Sequence, residues 1–65
     1  MSSDYQALAL VQKEINKLKQ DRELFVAAGR ADSFEDYRNV CGVIHGLNLA
    51  NDIINDLVRK MNDDD

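Results

Sequence analysis

The sequence predicts an all-α fold. The expected form is an antiparallel two-helix hairpin that completes its core by self-association, most simply as a homodimeric four-helix bundle. Three observations carry this expectation. Proline is absent and glycine occurs only at positions 29, 42 and 46, so little interrupts a helix. Apolar residues recur at alternating spacings of three and four through two long runs. The runs are joined by the short link Gly29-Arg30-Ala31-Asp32, which makes two long helices antiparallel neighbours.

The first helix is expected over residues 4–28. Ser3 followed by Gln6 matches a capping box, and Asp4 suits the positive end of the helix dipole. Leu8, Val11, Ile15, Leu18 and Phe25 form its seam, with Arg22 in the one slot that breaks it. That arginine either snorkels or is buried against Asp52 or Asp56 of the returning helix. Gly29 fits the left-handed position beyond the helix end, so the turn takes residues 29–32.

The second helix is expected over 33–62, started by Asp32 or Ser33 as cap with Glu35 or Asp36 three residues on. Its seam is Tyr37, Val40, Ile44, Leu47, Asn51, Ile54, Val58 and Met61. Beside it runs a second seam of Val43, Gly46, Ala50, Ile53 and Leu57. Two adjacent seams are wider than one partner helix covers, so a further helix is required. The acidic tail 63–65 opposes the dipole at the helix C-terminus and is expected to fray.

Gly42 and Gly46 each cost roughly 0.5–1 kcal/mol relative to alanine inside a helix. With Ala50 they make a strip of small residues at every fourth position. Such a strip lets another backbone approach closely, with a kink or room for a ligand as the alternative uses, so the expected oligomer interface is Gly42, Val43, Gly46, Ala50, Asn51, Ile53 and Leu57. Asn51, an amide in a core slot, either sets register or oligomer number or reaches solvent near the bundle end. Phe25, Phe34 and Tyr37 flank the turn and are expected to close that end of the core.

Composition narrows the function classes. At 65 residues the chain buries only about 60% of its unfolded surface, and its single cysteine, Cys41, excludes an internal disulfide. A lone thiol, no leader-like N-terminus and no long apolar run suggest a cytoplasmic protein with no membrane span. The net charge of −4 argues against nucleic acid as a partner. Cys41 and His45 stand four apart, which supplies two ligands or a thiol and a base but no third group, so neither a metal nor a catalytic site is expected. No phosphate-binding loop is present and no cofactor is expected. Lys13, Lys17, Lys19 and Arg30 concentrate positive charge on the first helix and its exit. Pairs such as Lys17 with Asp21 and Lys19 with Glu23 account for much of it, and an anion or partner contact is the alternative use.

The block Phe34-Glu-Asp-Tyr-Arg-Asn-Val-Cys-Gly-Val-Ile-His-Gly-Leu-Asn-Leu-Ala, residues 34–50, resembles a pattern in small bacteriophage accessory proteins. Tyr37, Gly42, Gly46, Leu47 and Ala50 are the matching positions. The resemblance implies a phage-encoded protein, either a virion component or one acting on a larger phage or host protein in the host cytoplasm. The expected function is therefore a non-enzymatic, self-associating structural module. The alternative is a small binding protein that inhibits a host factor or sequesters an anionic ligand.

Overall fold

A computed structural model of the chain describes residues 2–63. Two helices, α1 (Ser2–Ala27) and α2 (Phe34–Asp63), fold back on one another as an antiparallel hairpin, with no strand among the described residues. The all-α hairpin is thus the fold. The helix α1 starts before Ser3, so that residue lies within the helix rather than capping it, and α1 ends at Ala27, one residue before the expected bound. The helix α2 runs from Phe34 through Asp63, so helical structure takes in the first residue of the acidic tail. Asp64 and Asp65 lie outside the described residues.

The turn is built by local hydrogen bonds. Gly29 has φ +69°, the left-handed conformation that a side chain would resist. Its N–H donates to the Val26 carbonyl at 2.9 Å, and the Arg30 N–H to the Phe25 carbonyl at 3.2 Å. This pair is the Schellman arrangement, which satisfies carbonyls that the helix end leaves free. Ser33 then caps α2: its Oγ accepts from the Asp36 N–H at 3.1 Å, with Glu35 and Asp36 in the first turn.

One register joins the helices. Tyr5 donates to Asn62, Gln12 Nε2 to Asn55 Oδ1 at 3.0 Å, and Asn51 Nδ2 to Asn16 Oδ1 at 2.8 Å. The α2 seam faces α1 much as its spacing predicts. Val40 and Ile54 are buried, while Ile44, Leu47, Asn51, Val58 and Met61 are half-buried. Tyr37 departs from it and is exposed.

The α1 seam is displaced. Leu8 and Ile15 face α2 as expected, but Val11 and Leu18 are 50% and 48% exposed. Gln12 and Lys19 are the more covered residues in their place. Rotating α1 toward Gln12 and Asn16 lets both amides reach asparagines of α2, and it swings Val11 and Leu18 outward. The same register answers for Arg22. It stands level with residue 45, about 10 Å along the axis from Asp52 at ~1.5 Å per residue. Arg22 instead bonds Asp21 at 2.9 Å and lies over the Phe25 ring at 5.2 Å, and Asp56 pairs with Arg59. Asp21 is therefore taken by its neighbour rather than by Lys17.

Candidate interaction surface

The two flanks of the hairpin differ in chemistry. One carries the amide row of Gln12, Asn16, Asn51 and Asn55, extended by Tyr5 and Asn62. These groups satisfy one another across the helices, so this flank is finished with respect to the hairpin, except that Asn51 Oδ1 is buried with no donor. The opposite flank is apolar. There Leu10, Val11, Ile15 and Leu18 of α1 form an open groove with Leu47 of α2, and Glu14 is the one charged residue on it. Farther round α2, Val43, Ile53 and Leu57 are 44%, 67% and 44% exposed.

The expected interface residues divide between these flanks. Val43, Gly46, Ala50, Ile53 and Leu57 share the apolar side of α2 by helical spacing, and Gly42 borders them. Asn51 lies on the other side of the seam and bonds Asn16 within the chain, so here it sets the hairpin register. At Gly42 and Gly46 an added Cβ would meet nothing within 4 Å. The hairpin's own packing therefore does not use the glycines: whatever close approach they allow has to come from outside the chain.

The surface area makes the same point quantitatively. A compact monomer of 7.4 kDa exposes about 4,200 Å² by the size scaling of folded proteins. This chain exposes 5104 Å², a surplus on the order of 900 Å². Its Cα envelope measures 49 × 15 × 12 Å, Val40 and Ile54 are the only buried side chains among the described residues, and neither is fully covered. A standard protein interface takes about 800 Å² from each partner. The surplus is similar in size to one partner's share of such an interface.

The basic residues are not gathered into a site. Lys13 and Lys17 are exposed on the outer side of α1, whereas Lys19 lies toward α2, about 160° from Lys17 at ~100° per residue. Arg30 is at the turn, its guanidinium 5.8 Å from the centre of the Phe25 ring that also carries Arg22. Phe25 thus serves as a platform for two cations. Phe34 and Tyr37 do not close the core as expected. They stack on each other at 6.4 Å and remain 73% and 45% exposed, because the start of α2 turns them away from α1.

Cys41 and His45 are both exposed, and no group of three or more His, Cys, Asp or Glu side chains among the described residues is placed to hold a metal. The Tyr37 phenol is raised above its ordinary 10.0, first by its hydrogen bond with the Cys41 side chain one turn on, then by the charge of that thiol and by slight desolvation. No helix of the described residues is long and apolar enough to cross a membrane. Compared with protein-family models, with curated proteins and with solved structures, the chain matches none.

Proposed function

We propose that the protein is a non-enzymatic, self-associating helical module whose working form is an oligomer, a dimer in the simplest case. The surplus of exposed surface carries this reading, because its size equals one partner's share of a stable interface. A hairpin with two incompletely buried core residues also has little to hold it together alone, since chains below about 70–80 residues rarely gain more than 3–5 kcal/mol from one core. Association covers the apolar flank and leaves the amide flank and the exposed lysines facing water. The resemblance of residues 34–50 to phage accessory proteins supports placing the module in a phage particle or against a larger phage or host protein, and the single exposed thiol suits a reducing cytoplasm.

Absolute molar mass by light scattering behind a sizing column, over a hundredfold range of concentration, tests this. The expected result is a mass of at least twice 7.4 kDa that holds until dilution splits it, with helicity falling as it splits. A folded species of 7.4 kDa at every concentration refutes self-association.

A further inference from the structure

Resting on the self-association proposed above, we infer that the second copy lies antiparallel to the first, with α2 against its partner's α2 across a two-fold axis at the level of Asn48. The surplus of roughly 900 Å² sets the size of the contact. The arrangement follows from how residue size and charge are distributed along the apolar flank.

A two-fold contact presents the same patch to itself, so residues equally far from the axis on either side must fit one another. On the apolar side of α2 the residues pair by size about position 48. Gly46 and Ala50 are the small pair nearest it, Val43 and Ile53 are β-branched and one step farther out, and Asn39 and Leu57 close the ends. Position 48 is also the middle of α2, which spans Phe34–Asp63, so an axis there gives the longest overlap. Gly46 then meets the partner's Ala50, and the open space beside each glycine is filled by the partner's backbone.

Charge separates this from the alternative. None of the six residues is charged, and the exposed members Val43, Ile53 and Leu57 make a dry seam. A parallel α2 pair, with both turns at one end, would bring Glu35 and Asp36 of the two copies together; a further two-fold arrangement with both turns at one end lays α2 on the partner's α1. The hairpin register, with Gln12 opposite Asn55 and Asn16 opposite Asn51, then sets the partner's Glu14 level with Ile53 and the partner's Asp21 level with Gly46. That seam buries carboxylates against apolar groups, which is costly without a cation to receive them.

Nitroxide labels and pulsed electron resonance on the assembled protein distinguish the two. One label goes on native Cys41, which is exposed, and a second sample carries it at position 62 in Asn62→Cys with Cys41→Ser. At ~1.5 Å rise per residue the antiparallel arrangement separates the two copies axially by about 21 Å at position 41 and about 42 Å at position 62. A distance that grows by roughly 15 Å or more from the first site to the second supports the inference. Two short distances of similar size, in a protein whose mass is still that of a dimer, overturn the antiparallel arrangement and leave self-association standing. A monomeric mass removes both. Should Asn62→Cys lose helicity through its missing bond to Tyr5, Arg59→Cys in the same background gives an axial separation of about 33 Å, and there a growth of roughly 8 Å or more over the first site supports the inference.

Discussion

Replacing Gly46 with leucine separates the behaviour of one hairpin from that of the assembly, because the two respond in opposite directions. Within the hairpin a side chain at position 46 enters open space: an added Cβ meets nothing within 4 Å, and the backbone there is ordinary helix. Removing a mid-helix glycine then stabilises the chain by roughly 0.5–1 kcal/mol. For a domain of this size that raises Tm by roughly 2–8 °C. In the proposed assembly the same side chain is driven into the partner, and symmetry makes the insertion occur twice. Overfilling a packed seam costs about 1–3 kcal/mol per site, so association weakens by about 2–6 kcal/mol, at least about thirty-fold in Kd. Sedimentation equilibrium read with thermal melts at low and high concentration measures both quantities. The expected variant is a better helix when dilute and a poorer dimer when concentrated. A Gly46→Leu protein that dimerises like the parent and melts higher at every concentration refutes the placement of the glycine in the seam.

Further substitutions separate the inner seam from the outer one. Ile54→Ala removes a side chain that is 8% exposed and is expected to cost about 2–4 kcal/mol, enough to leave the dilute protein largely unfolded by circular dichroism. Ile53→Ala truncates a neighbour that is 67% exposed, and is expected to leave the dilute hairpin unchanged while lowering the mass measured at a given concentration. Gly29→Ala forces a side chain into φ +69°, and a loss of about 1–2 kcal/mol in urea unfolding is expected although no neighbour crowds the site. The Tyr37 phenol is expected to titrate above 10.0 when ultraviolet absorbance is followed on Tyr5→Phe, and Cys41→Ala is expected to lower that midpoint. Because folding favours the neutral phenol, its contribution is present below pH 10 and is lost as pH rises through the folded value; a midpoint unmoved by Cys41→Ala would contradict the thiol as the cause.

How far the sequence discloses this architecture depends on which interactions set each element. The α2 seam is legible because its spacing is unbroken and hydrophobic burial follows spacing directly: Val40, Leu47, Ile54 and Val58 turn to α1 as their period requires. Gly29 and Ser33 are legible for a similar reason, since capping is local chemistry. The α1 seam is misplaced by one position because apolar spacing does not record which polar residues meet across the helices. Gln12 with Asn55, and Asn16 with Asn51, are pairs that only the register creates, and they turn the helix away from its most obvious stripe. Arg22 follows from the axial register of those pairs, which sets it level with residue 45 and short of Asp52, where it lies over Phe25 instead. That rotation also bears on function. A hairpin that satisfied Val11 and Leu18 internally would need little from outside, whereas one that satisfies its amides first leaves a continuous apolar flank, with Val11 and Leu18 on one helix and Val43 and Leu57 on the other. On the proposed reading the polar pairs inside the chain determine which surface is left to bind, and breaking them tests that link. Alanine at both Gln12 and Asn16 removes the amide bonds without adding apolar bulk there, and should let α1 rotate back and bury Val11 and Leu18. The expected result is a hairpin with weaker association, and unchanged association would separate the amide row from the choice of interface.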